Sequence, residues 1–226
     1  MQKLSRILSP DFNPRDLIAV APEWRRADFN RAVFYLSGRL KAQGVQAAAL
    51  WFDDAALFAC AILAAWHAGA RVVLPPNLAA ENIGWADDEA DIWLTDVPQH
   101  AAFSGGLTVL VVAACLENMP SEYEPNTQDW QLDEKAQARL KTSGSSGAAQ
   151  VVVKTLAQMQ AEAQALTALL PFAQSGAVAL GSVSPQHLYG FTFRFAVPLS
   201  VGWPLARAQY VYPETLLAAT AAHKGV

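Results

Sequence analysis

The segment at residues 55–66, AALFACAILAAW, is apolar at each of its 12 positions. A helix that meets water carries a polar stripe, and one that is apolar all round is enclosed by protein or by lipid. A bilayer span needs about 20 such residues, so this one reads as a core helix. Asp53 and Asp54 precede it as capping residues, and Gly69 follows where helices stop. On either side lie short apolar runs, 45–52 and 71–74, the second ending at Pro75-Pro76. Strand, buried helix and strand in that order form the β-α-β unit of a parallel sheet covered by helices.

The rest of the chain extends this pattern. Residues 26–43 place Phe29, Val33, Leu36 and Leu40 on one helical face, with Gly44 at the stop position. A short helix is expected at 78–84, buried strands at 91–95 and 107–113, and a polar surface excursion at 117–131. Strands at 138–142 and 151–154 flank a Gly/Ser loop. A helix at 155–170 carries Leu156, Met159, Ala163, Leu166 and Leu170, and Pro171 ends it. Residues 177–183 read as a strand, 188–197 as a helix, and Pro213–His223 as a last helix opened by proline. The fold class is α/β, with mostly parallel sheet layers covered by helices, and no linker or repeat divides residues 1–226.

Composition removes several function classes. Charged residues make up 16% of the chain against about 25% in an average domain, and 53% are hydrophobic, which excludes intrinsic disorder. Sixteen Lys and Arg against 20 Asp and Glu give a net charge of −4. A nucleic-acid partner would need a basic excess, so none is expected. Cys60 and Cys115 lie in apolar runs without a CxxC pattern or a histidine at ligand spacing, and both read as buried thiols in a reducing compartment. The N-terminal MQKLSRILSPDF lacks the apolar stretch and cleavage site of a secretory signal. A cytoplasmic protein is the expectation.

The most informative segment is KTSGSSGAAQVVVK, residues 141–154. Two glycines and four hydroxyl residues in succession bend the backbone and present N–H and O–H donors, an arrangement suited to phosphate oxygens. A flexible polar hairpin loop is the plainer reading of the same residues. No lysine follows the second glycine as a Walker A loop requires, and the glycine spacing does not make a GxSxG nucleophile elbow. The long glycine run and upstream catalytic lysine of the amidases are missing as well.

Strand, TSGSSG, strand, lysine and helix in that order resembles the adenylate-forming acyl ligases, the superfamily of acyl-CoA synthetases and AMP-dependent acid ligases. Two further segments share the resemblance. FACAILAAWHAGARVVLPPNLAAENI is similar to the family's alanine-rich helix and Pro-ended strand, and SVSPQHLYGFTFRFAVPLSVGWP to the segment that brings a His, an aromatic residue and a Gly to the acyl pocket. The match runs in order over about residues 26–214. It implies that Thr142, Ser143, Gly144, Ser145, Ser146 and Gly147 embrace the triphosphate of ATP while a carboxylate attacks the α-phosphorus, a transfer that rests on charge stabilisation. The family usually continues with Pro-Lys-Gly; here Gln150 stands at the lysine position, keeping a donor and losing the charge. Lys154 is the candidate to supply that charge, or else it is only a strand-end lysine.

The resemblance also implies that His187, with Tyr189 and Gly190, shapes the acyl site from a strand end, where α/β sheets bind ligands. A structural His and core packing are the plain alternatives for these three. His67 and Trp66 read as structural, and Asp87-Asp88-Glu89 as a solvated turn. No catalytic side chain and no metal ligand is assigned. ATP and Mg²⁺ are the implied cofactors; a carboxylic acid and a thiol acceptor, CoA or a carrier protein, are the implied partners. The VVVK and SPQHLYG segments are similar to a bacterial subgroup associated with aryl-polyene and fatty-acid clusters, which implies an aromatic or medium-chain acid.

The family's adenine, ribose and magnesium residues and its C-terminal lid have no counterpart in this sequence. The chain is therefore expected to be an incomplete N-terminal ligase domain, inactive alone, with apolar surface that favours a homodimer. A domain that keeps the fold for nucleotide binding or assembly without chemistry is the alternative, and an unrelated α/β binding module is a third reading.

Overall fold

In the computed structural model, which describes residues 1–97, 106–126, 128–142, 149–169 and 176–223, the apolar segment forms helix α2 (Ala55–His67). Every residue of that helix except Leu57 and His67 is buried. Asp54 caps it, its carboxylate accepting from the N–H groups of Ala56 and Leu57 at 2.7 and 3.0 Å.

The elements before it are β1 (Leu17–Val20), β2 (Trp24–Arg25), α1 (Arg26–Ala42) and β3 (Ala47–Trp51). After it come β4 (Arg71–Leu74), α3 (Ala80–Glu89), β5 (Ile92–Thr95), β6 (Thr108–Val111), α4 (Val112–Glu117), β7 (Gln137–Lys141), β8 (Val151–Thr155) and α5 (Leu156–Leu169). The chain continues with α6 (Leu188–Phe191), α7 (Val197–Val201), β9 (Leu205–Ala206) and α8 (Pro213–His223), a π-helical turn at Thr192–Ala196 joining α6 to α7.

Six strands form the main sheet in the order β6-β5-β3-β4-β7-β8, all parallel except β8, which returns antiparallel to β7. The strand side chains alternate between two apolar layers. Ala48, Leu50, Val72, Leu74, Ile92 and Leu94 enter the larger core with α1 and α2, while Ala49, Val73 and Trp93 pack against Ala86 of α3 on the other face. Burial on both faces is why these strands read as continuous apolar runs without a two-residue period. α2 is sandwiched between this sheet and an outer cover of α1, α4, β9 and the π-helical turn.

Several expectations are corrected. A second sheet, β2-β1-β9, was not foreseen; its strands have two to four residues, too few for a pattern to show. The strand expected at 177–183 is reduced to a bridge between Ala179 and Leu205 beside β9. The strand at 107–113, expected to be buried, is an edge strand with no buried residue and stops at Val111 before α4, and the helix expected at 188–197 runs on to Val201. Asp87-Asp88-Glu89 is the end of α3 and only Asp88 is exposed. Asp87 accepts from the indole N–H of buried Trp93 at 2.6 Å, and Glu89 pairs with Arg139 at 2.6 Å. Cys60 is buried as expected, whereas Cys115 is half-buried.

Candidate functional site

β4 and β7 lie side by side and parallel, so their C-terminal ends open on the same edge of the sheet. That edge is where parallel α/β sheets hold ligands, since the loops leaving the strands diverge there. β4 ends at Leu74, directly before Pro75-Pro76, and β7 ends at Lys141, directly before the Gly/Ser loop. Thr142 and Gln150 close the mouth of the β7–β8 hairpin: the Thr142 N–H donates to the Gln150 carbonyl at 2.8 Å, and the Gln150 N–H donates to the Thr142 hydroxyl at 3.3 Å. Ser143, Gly144, Ser145, Ser146 and Gly147 lie outside the described residues.

A second segment approaches from the opposite side. The turn before α6 is fastened by Gln186, whose buried side-chain amide donates to the Phe52 carbonyl at the end of β3, 2.9 Å away. His187 is the N-cap residue of α6, which places it after an irregular turn and not at a strand end as expected. Gly190 is packed so tightly on that turn that a Cβ would stand 2.8 Å from the Ser184 carbonyl carbon and closer still to its oxygen. Only glycine permits this approach. Tyr189 is largely exposed and rests on Phe193, ring centroids 4.5 Å apart.

The two segments meet around a cavity of about 420 Å³ walled by Pro76, Lys141, Thr142, Val183, His187 and Tyr189. Thr142, His187 and Tyr189, far apart in sequence, are thus brought together. Gly190 and Gln150 do not line it; Gly190 packs on the Ser184 carbonyl and Gln150 is bonded to Thr142. Lys154 does not line the cavity: it lies within β8, with its ammonium paired to Glu162 of α5.

A second cavity of about 430 Å³ shares Val183 and Tyr189 with the first and is otherwise mainly apolar, walled by Leu180, Phe193, Trp203 and Leu216 among others. Arg194 runs along it, tied by its guanidinium to the carbonyls of Val183 and Ala208 at 2.8 Å and, at 3.3 Å, those of Ala206 and Arg207. Burial lowers the Arg194 pKa to about 10. Its stem crosses Gly181, where a Cβ would stand 2.7 Å from Arg194 Nε. Among the described residues no group of three or more His, Cys, Asp or Glu side chains is placed to hold a metal, and no carboxylate lines the 420 Å³ cavity.

By sequence, neither a protein-family model nor a curated protein matches the chain. By structure, the o-succinylbenzoate CoA synthetase of Bacillus subtilis in complex with its acyl-adenylate intermediate superposes with a TM-score of 0.81 at 16% identity, over 100% of this chain and 60% of that one. This chain has the fold of the adenylate-forming ligases. MatB of Rhodopseudomonas palustris, bound to ATP, agrees with a TM-score of 0.76 at 17% identity, over 99% of this chain and 48% of its own. The Bacillus synthetase has also been solved with ATP and a magnesium ion and, as a double mutant, with a product analogue, OSB-NCoA. The chain thus spans about half to three-fifths of these ligases, the share expected for an N-terminal part of the adenylate-forming fold.

Three residues that shape the site escaped the sequence reading. Lys141 adjoins the loop and lines the cavity, a placement that its position before the first threonine does not by itself reveal. Gln186 and Arg194 are polar residues inside the apolar segment 183–201; that contrast was the available signal, since a polar group in such a run must find partners once buried.

Proposed function

We propose that this chain is the nucleotide- and acid-holding part of an ATP-dependent carboxylic acid ligase that forms an acyl-adenylate and then a thioester. The observation that carries the reading is the joint placement of Thr142, His187 and Tyr189 around one cavity at the carboxyl ends of β4 and β7. Thr142 with Ser143, Gly144, Ser145, Ser146 and Gly147 holds the phosphates through N–H and O–H donors, and Gln150 fixes Thr142. Lys154 reaches that loop only by leaving Glu162. His187 and Tyr189 line the acyl side, positioned by the close approach of Gly190, and the apolar cavity beyond Tyr189 receives the acid's hydrocarbon part.

In the first step a carboxylate oxygen bonds to the α-phosphorus of ATP and pyrophosphate leaves. In the second, a thiol of CoA or a carrier protein attacks the acyl carbon, AMP leaves, and the thiol proton passes to solvent. Magnesium, which would enter with the triphosphate, neutralises phosphate charge in such transfers. The described residues offer no carboxylate set to hold it, and no step is drawn through it. Because the chain spans only part of the solved ligases, the complete reaction belongs to an assembly that includes the remaining half, and the chain alone is expected to bind nucleotide weakly without turnover. The cytoplasm, where ATP and thiols are plentiful, is the proposed compartment.

A second reading, a nucleotide-binding or assembly domain that keeps the fold without the chemistry, is favoured by the neutral Gln150 beside the loop. Calorimetry with ATP–Mg²⁺ tests the nucleotide claim common to both: heat of binding is expected from the chain, reduced at least about tenfold in affinity by Gly147→Val, which blocks backbone approach. Absence of heat refutes the nucleotide claim in both and leaves only an assembly domain. Carboxylate-dependent pyrophosphate exchange by the chain joined to the remaining half separates ligase from relic.

A further inference from the structure

β8 stands at one end of the six-stranded sheet, with β7 on one side and no strand on the other. Along an antiparallel pair, the bonding groups of successive residues point alternately toward and away from the partner strand. Gln150 accepts from the Thr142 N–H at 2.8 Å, and the Leu156 N–H donates to the Ala136 carbonyl at 2.9 Å. Residues 150 and 156 therefore face the neighbouring chain of β7, as do Val152 and Lys154 between them. Val151, Val153 and Thr155 turn their N–H and C=O groups outward. The Thr155 N–H is satisfied by the Gln158 side chain at 2.9 Å. Those of Val151 and Val153 have no strand to bond, and the two side chains are 39% and 46% exposed.

An exposed sheet edge is a template for another strand, and proteins blunt such edges with charge, proline, bulges or brevity. β8 lacks these devices. It pairs with β7 in unbroken register over five residues and contains no proline. Its one charged residue, Lys154, belongs to the inward-facing set and is bound to Glu162 of α5. β6, at the other end of the sheet, has four residues, of which only Thr108 is exposed.

We infer that β8 is a pairing edge for a second copy of this chain, antiparallel across a twofold axis, with Val151 opposite Val153 of the copy. In that register the outward N–H of each valine meets the outward carbonyl of the other, and the exposed side chains cover each other. The edge offers hydrogen bonds and valine side chains without charge, and an identical edge matches it position by position. Lys154 falls opposite Gln150 of the copy, so no like charges face one another. Lys141 and Arg139 stand beside Val151 and Val153 on β7. Across the axis they lie three strand spacings from the copy's cations, about 14 Å. That exceeds the screening length of about 8 Å at physiological salt.

The experiment uses the full chain carrying Leu217→Glu, which takes the separate exposed leucine of α8 out of the assay. Amide exchange at Val151 and Val153 is followed by NMR from dilute to concentrated samples, with sedimentation of the same samples. Expected is a slowing of both amides by about tenfold or more as the mass approaches that of two chains, because a bonded donor exchanges only when the pair opens. Val153→Pro removes an outward donor and spares the bonds to β7, and Val153→Lys sets a charge on the edge. Each is expected to hold the mass at that of a single chain, Val153→Lys with the melting temperature unchanged because the position is exposed. A doubled mass with both amides still exchanging fast overturns the inference. So does a dimer that survives Val153→Lys, or a single-chain mass at every concentration before either substitution at Val153 is made.

Discussion

His67 has both ring nitrogens engaged at the end of α2. Nε2 faces the Asp129 carbonyl at 2.5 Å, which only accepts, so Nε2 carries the proton; Nδ1, 2.7 Å from the Ser37 hydroxyl, then accepts from it. Phe34 closes over the ring edge-on. Burial is the main cause that lowers the His67 pKa, and nearby Lys41 acts in the same direction, against the Asp129 carbonyl and carboxylate. The folded chain therefore resists a proton that the unfolded chain accepts near pH 6.5. Stability is full above that pH and is lost as pH falls toward the lower folded value. Urea melts between about pH 7.5 and about pH 5 are expected to show this loss in the wild type and a smaller one in His67→Gln. Equal pH slopes in the two proteins would refute the role. The helix position and structural character of His67 were readable in the sequence. Its partners were not, because Ser37 and Asp129 become its neighbours only when α1 and the 117–131 excursion fold over it.

At the scale of elements, long apolar patterns carried their own information and short ones did not. α2, with its cap at Asp54, and the β7–β8 hairpin were legible because each spans enough residues for composition and period to speak. β1, β2 and β9 were not, since a strand of two to four residues owes its existence to the pairing partner beside it. The turn from Ser184 to Gly190 shows the same dependence. Its sequence suggested a ligand-facing histidine, while its form is set by one distant contact, Gln186 to the Phe52 carbonyl just after β3, and one close approach within the turn, Gly190 against the Ser184 carbonyl. The Gly190→Ala variant is expected to shift α6 away from the turn, destabilise the chain by about 1–3 kcal/mol as overpacking does, and weaken acid binding more than nucleotide binding. Denaturant unfolding measures the first effect and ligand titration the second. A variant as stable as wild type would mean that the turn is not held by this contact.

The whole molecule buries the central strands β3, β4 and β5 on both faces but leaves its last helix poorly covered. Only Ala219 of α8 is buried, although the helix reads PETLLAATAAH and carries two leucines and several alanines. Val211, Tyr212 and Leu217 are each more than 60% exposed, and they adjoin the apolar cavity walled by Leu216 and Thr220. Apolar surface gathered in one place and open to water is a site of association. In a pure solution copies of the chain are the partners at hand, and α8 against α8 is expected to bring them together. Sedimentation of the purified chain is then expected to show a mass that rises with concentration. Leu217→Glu, at an exposed position with little folded-state packing to lose, is expected to weaken that association about tenfold or more while leaving the melting temperature unchanged. A wild-type chain that sediments as a monomer at every concentration would show that α8 does not bring copies together and that the fold tolerates the exposed face unaided.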